Sequence, residues 1–141
     1  MHTYSFESIS LGQAEYFDVT ITDKMLSAFQ HITGDNNPLH TDRQFAAQHG
    51  YDDSVVYGML TASFLSTLAG VYLPGRDSLI YEVNVSFVNP VYVGDRIRIL
   101  GTVIDKNDTF RFFRMKVTIT NQRGEKVLRG KMKVGVTDGK R

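Results

Sequence analysis

Cysteine is absent from this 141-residue sequence. Its absence removes disulfides, thiolate metal sites and cysteine nucleophiles together, and leaves acid–base chemistry on carboxylates, histidine, tyrosine or serine. An excess of charge is missing too: 16 Lys and Arg face 15 Asp and Glu, a formal net charge of +1. The two signs are interspersed with no basic block, so nothing points to nucleic acid. No N-terminal stretch joins a charged start to an apolar run, so no export signal is read and a cytoplasmic protein is expected. The length is that of one ordinary domain with one core, so a single domain over residues 1–141 and a single site are expected.

What is present begins with an uncharged run over residues 55–73. A run of about twenty apolar residues is the length of a membrane span. This one contains Gly58, Thr61, Ser63, Ser66, Thr67 and Gly70, and alternating strands follow it. A helix that is apolar all round sits either in lipid or in a core, and a strand-rich domain supplies the core. A buried central helix over residues 56–71 is therefore expected, with no membrane insertion.

Residues 16–22 (YFDVTIT) are β-branched and aromatic and read as a strand. Asp23 is then placed to cap a helix carrying Met25, Leu26, Phe29 and Ile32 at helical spacing, with Gly34 to end it. Residues 34–40 (GDNNPLH) read as a loop of fixed shape, because Pro38 restricts Asn37 to extended geometry. Thr41 or Asp42 can cap a short helix through Phe45, Ala46 and Ala47 that stops near Gly50. Beyond the central run the period changes. Leu79, Tyr81, Val83, Val85 and Phe87 alternate with more polar neighbours, as do Phe113, Met115, Val117 and Ile119, and then Leu128, Met132, Val134 and Val136. Asn107 and Asp108 mark one turn and residues 121–124 (NQRG) another. About five half-buried antiparallel strands need one face covered, and only the central helix is apolar enough to cover it. The fold class is α+β, an antiparallel sheet wrapped around a long central helix.

The densest reactive cluster is Asp35, Asn37 and His40 on the loop stiffened by Pro38. Adding water across an enoyl double bond needs a base to activate water toward the β-carbon and an acid to protonate the α-carbon; Asp35 and His40 suit that pair, and Asn37 can orient the water. The residues fit a second reading as well: Asp35 and Asn37 as turn formers and His40 as a surface residue. His31 and His49 could be combined with His40 as metal ligands, but the spacing matches no compact ligand motif, and no metal is expected. Arg96, Arg98, Lys131 and Lys133 lie on strands, as a solvated face or near the phosphates of a coenzyme.

The string TGDNNPLHTDRQFAAQHG, residues 33–50, closely resembles the signature of the R-specific enoyl-CoA hydratases, the MaoC-like branch of the hot-dog fold, whose core is Gly-Asp-x-Asn-Pro-Leu-His. YGMLTAS, residues 57–63, resembles that family's His-Gly-Met helix start, and FVNPVYVGD, residues 87–95, resembles its Phe-x-x-Pro-Val-x-x-Gly-Asp segment. The resemblance implies R-specific hydration of trans-2-enoyl thioesters, or dehydration of R-3-hydroxyacyl thioesters, carried by coenzyme A or acyl carrier protein in fatty acid metabolism. It places the catalytic pair on Asp35 and His40, the accompanying Asn on Asn37 and a pocket Ser on Ser63, and it implies no cofactor. It further implies a homodimer joined edge to edge, with the acyl tunnel along the subunit interface. Gly58, at a helix N-terminus, can offer a bare N–H to the thioester oxygen, or be small only for close packing against the sheet. Tyr57 stands where the family pattern has His. It keeps a hydroxyl but does not titrate near neutrality, which implies altered substrate choice rather than lost activity. Thioester hydrolysis and non-catalytic acyl-thioester binding are the rival functions.

Overall fold

The alternating segments pair into one five-stranded antiparallel sheet in the order β1-β3-β4-β5-β2, seen in a computed structural model that describes residues 1–138. The strands are β1 (Ala14–Thr20), β2 (Ser78–Phe87), β3 (Arg96–Asn107), β4 (Phe112–Thr120) and β5 (Lys126–Val136). Four helices, α1 (Asp23–Thr33), α2 (Pro38–Thr41), α3 (Arg43–Gln48) and α4 (Gly58–Thr67), all lie between β1 and β2. The inward positions of β3, β4 and β5, among them Ile97, Ile99, Phe113, Met115, Ile119, Leu128 and Val134, are fully buried. Leu60, Leu65, Leu68 and Ala69 pack into the same cluster, so the sheet does wrap the central helix as the sequence predicts.

Several boundaries differ from expectation for local reasons. Strand β1 covers 14–20 rather than 16–22, because its ladder with β3 runs from Ala14 opposite Thr102 to Thr20 opposite Arg96. Thr22, not Asp23, caps α1: its hydroxyl accepts from the Met25 N–H (3.3 Å), and Asp23 is the first helical residue, where a negative charge suits the dipole. Gly34 ends the helix in the left-handed region at φ 74°, its N–H returning to the Gln30 carbonyl. Helix α4 starts at Gly58 and not at Val56, because the Val56 N–H is drawn away to the Val91 carbonyl (2.8 Å). It passes directly into a π-helical turn, Leu68–Tyr72. Only one side of α4 is buried by its own chain; Ser63 and Ser66 are exposed and Met59 is 65% exposed. Among the described residues no helix is long and apolar enough to cross a membrane.

Strand β2 departs most from the alternation read in the sequence. Leu79, Tyr81, Val83 and Phe87 were expected to face the core with Val85, yet they are 44%, 49%, 45% and 52% exposed. The register slips between Ile80 and Glu82, a bulge that switches the phase of the strand, so that Ile80 and Val85 are the residues packed on the core. Strand β2 is also one of the two outer strands of the sheet, with no neighbour beyond it among the described residues.

Its inner edge is pressed tightly on β5. A side-chain carbon at Gly130 would run into the Asn84 carbonyl oxygen and lie 2.8 Å from the Val85 Cα, so only glycine lets these backbones approach. Gly130→Ala is expected to destabilise the fold by about 2 kcal/mol or more, the cost of forced overpacking. Chemical denaturation monitored by circular dichroism checks it; an unchanged midpoint would refute the packing account.

Candidate functional site

The segment after α1 is shaped by its own short polar side chains. The Asp35 N–H donates to Thr33 Oγ1 (3.2 Å), the Asn37 N–H to Asp35 Oδ1 (3.1 Å), and the Leu39 N–H to Asn37 Oδ1 (3.0 Å). Asn37 thereby caps α2, with Pro38 in the first turn, so the expected loop closes into one helical turn that carries His40. Asp42 then caps α3 through the N–H groups of Gln44 and Phe45.

This segment is clamped to the strand of chain entering α4. The Val55 N–H donates to the Leu39 carbonyl (3.0 Å), and His40 Nδ1 meets the Val55 carbonyl at 2.6 Å. A carbonyl only accepts, so the neutral imidazole carries its proton on Nδ1 and leaves Nε2 as an acceptor. The Tyr57 hydroxyl donates to the backbone carbonyl of Asp35 (2.7 Å). Tyr57 is 2% exposed, and its ring lies against the imidazole of His40, with centroids 4.1 Å apart. Burial, aided by the Asp35 charge, pushes the phenol above its ordinary value, so it stays a neutral donor.

Asp35, His40, Tyr57 and Gly58 line one cavity of about 420 Å³, closed on its apolar side by Phe29 and Phe87. Four of the six predicted site residues are thus brought together. Asn37 is not on this wall, its carbonyl oxygen being used in the α2 cap. Ser63 is not on it either; its hydroxyl donates to the Leu60 carbonyl (2.6 Å) on the exposed side of α4. Gly58 begins α4, and a side-chain carbon there would come within 3.0 Å of the Phe87 ring, the close packing against the sheet that was one of its two readings. A second cavity of about 260 Å³ adjoins the first across His40, Gly58 and Phe87 and extends beneath residues 88–91 to Thr61 and Val127. Sequence reasoning missed Thr61, although a hydroxyl three residues after Gly58 on an apolar helix was a usable signal. It placed Phe87 in the core rather than on the site.

The weaker candidates lie elsewhere. His31 is exposed in the last turn of α1, and His49 bonds the Phe45 carbonyl through Nδ1 (2.8 Å). Among the described residues no group of three or more His, Cys, Asp or Glu is arranged to hold a metal. Arg98 and Arg96 both bind Asp18, at 2.8 Å, and hold its carboxyl down at about 2. These two arginines are therefore committed to a carboxylate. Lys133 lies over the Phe112 ring at 4.2 Å, and Lys131 is exposed.

Comparison with known proteins agrees with the geometry. The chain is 38% identical over 93 residues to the (R)-specific enoyl-CoA hydratase of Aeromonas caviae, covering 66% of this chain and 69% of that protein. It is 31% identical over 94 residues to the 3-hydroxybutyryl-CoA dehydratase of Methylorubrum extorquens, covering 67% of this chain but only 60% of the relative. The solved structure of the (R)-hydratase of A. caviae involved in PHA biosynthesis superposes with a TM-score of 0.88 at 31% identity, over 92% of this chain and 98% of that one. The fold is therefore the hot-dog fold, and since the model of the MaoC like domain matches residues 9–125, the chain belongs to the MaoC-like family.

Proposed function

We propose that the chain is one hot-dog domain that hydrates trans-2-enoyl thioesters to R-3-hydroxyacyl thioesters, or dehydrates them in the reverse direction, as a hydro-lyase of fatty acid metabolism. The observation that carries this reading is the cavity in which Asp35, His40 and the N-terminus of α4 at Gly58 share one wall. Hydration places a hydroxyl on the β-carbon and a proton on the α-carbon, so two proton-handling groups must face the same double bond. The Asp35 carboxyl is one, and His40, with Nε2 free to accept, is the other. As the α-carbon gains its proton, negative charge gathered on the thioester oxygen must be released; the Gly58 N–H, at the positive end of α4, stabilises it while it is present.

Tyr57 positions rather than reacts. Its hydroxyl fixes the Asp35 backbone, and its ring braces His40, so the family's usual His can be replaced without loss of the acid–base pair. Asn37 serves the shape of the loop by capping α2. The carrier is coenzyme A or acyl carrier protein, and the reaction takes place in the cytoplasm. The active form is a homodimer joined through β2, whose free edge and exposed Leu79, Tyr81, Val83 and Phe87 form a long apolar margin of the kind that single chains protect or pair.

Asp35→Asn and His40→Ala are each expected to lower the hydration rate of a trans-2-enoyl-CoA by about two orders of magnitude or more, the usual contribution of a positioned acid or base. Loss of the conjugated thioester absorbance, with chiral analysis of the product, measures it. Normally folded variants working at the native rate would sink the assignment, and a native protein that binds enoyl thioesters without turnover would favour a binding role. Tyr57→Phe leaves the Asp35 carbonyl without its donor and is expected to cost about tenfold in kcat/KM, the upper end of one ordinary hydrogen bond. Sedimentation equilibrium at micromolar concentration should give a dimer; a monomer would refute the edge-to-edge arrangement.

A further inference from the structure

Thr61 is 2% exposed, and its hydroxyl has no hydrogen-bond partner. Buried hydroxyls are nearly always satisfied, and a helical threonine commonly turns its oxygen back to a carbonyl in the preceding turn. Ser63, two residues on, does so with the Leu60 carbonyl, but Thr61 does not. Thr61 lines the second cavity together with, among others, Val88, Val91 and Val127. A buried hydroxyl without a partner is costly unless something entering the cavity pairs with it.

The two cavities differ in a way that orients a thioester. His40, Gly58 and Phe87 border both, Asp35 borders only the first, and Thr61 only the second. The carbons that change in the reaction lie on the acyl side of the carbonyl, so with the carbonyl at Gly58 the acyl side must enter the cavity that holds Asp35. The sulfur and the arm of the carrier then leave through the other. Thr61 lies three residues beyond Gly58, about 4.5 Å along the helix axis. In the thioesters of both coenzyme A and acyl carrier protein, the first amide of the arm lies two methylenes beyond the sulfur. The unbranched acyl chain of a simple enoyl thioester has no polar group at the matching distance.

We infer that Thr61 is a positioning residue whose hydroxyl hydrogen-bonds the first amide of the carrier arm, and that the cavity beneath residues 88–91 is the arm's subsite. The assignment rests on the thioester reading and extends it, by giving the substrate a direction through the site. It also explains why a polar atom is kept on the buried face of α4: every substrate of this class brings the same amide past that point, whatever its acyl group.

The test compares Thr61→Val and Thr61→Ser with the native protein on three crotonyl thioesters. These are the coenzyme A ester, the N-acetylcysteamine ester, which retains only the first amide, and the S-propyl ester, which has none. Thr61→Val is expected to raise KM about three- to tenfold for the first two, the range of one hydrogen bond. The kcat should stay within about twofold, the S-propyl ester should be unaffected, and Thr61→Ser should restore the native values. Equal effects on all three esters, or none on any, would overturn the assignment. Calorimetric titration with butanoyl-CoA, which cannot react, reads the same contact without turnover. A three- to tenfold weaker Kd in Thr61→Val supports the subsite even if no ester is hydrated, and an unchanged Kd refutes it. Because the valine removes an unpaired buried hydroxyl, its melting temperature should not fall, and a fall would show that the hydroxyl is satisfied within the fold.

Discussion

The short clamp between residues 35–40 and 55–57 is the contact on which the site depends. Two hydrogen bonds join α2 to the strand of chain before α4, and a third ties the Asp35 backbone to Tyr57. None of these elements could hold itself in place. Helix α2 is only four residues long, and a single turn gains too few internal bonds to offset the ordering of its backbone. The clamp lends it the stability of α4, which is anchored in the sheet core through Leu60 and Leu65. Burying Tyr57 joins the rigid core directly to the reactive surface.

The same contacts fix protonation as well as position. The Val55 carbonyl selects the Nδ1 tautomer of His40, and burial keeps Tyr57 a donor, so these two groups on the wall have defined roles before substrate arrives. Preorganisation of this kind costs nothing at the moment of reaction, because the dipoles are already set by folding. It also suits a reversible reaction, in which the same wall must serve water and its removal.

Much of this was legible in the sequence where local chemistry and tertiary context agree. The alternation of β4 and β5, the left-handed Gly34 and the turn-forming string around Pro38 each have a local cause, and each appears in the structure. The motif residues Asp35 and His40 were legible for the same reason, lying on a segment whose shape its own side chains dictate. Strand β2 was misread because a bulge shifts its phase and an edge position uncovers its apolar residues, and neither event leaves a local trace in the alternation. Thr61 was missed because one hydroxyl in an apolar run reads as tolerated; only the missing partner, a property of the folded surroundings, singles it out. The role of Tyr57 was half visible. The residue was recognised as a departure, but a bond to a carbonyl 22 positions away cannot be read from neighbours.

Tyr57 grips the loop through a main-chain oxygen and leaves the Asp35 side chain out of that grip. Asp35 and His40 nonetheless take part in the frame: Oδ1 of the first accepts from the Asn37 N–H, and Nδ1 of the second meets the Val55 carbonyl. Exchanging either side chain therefore disturbs where the loop sits as well as what it can do, so a change of chemistry at these positions carries a change of scaffold with it.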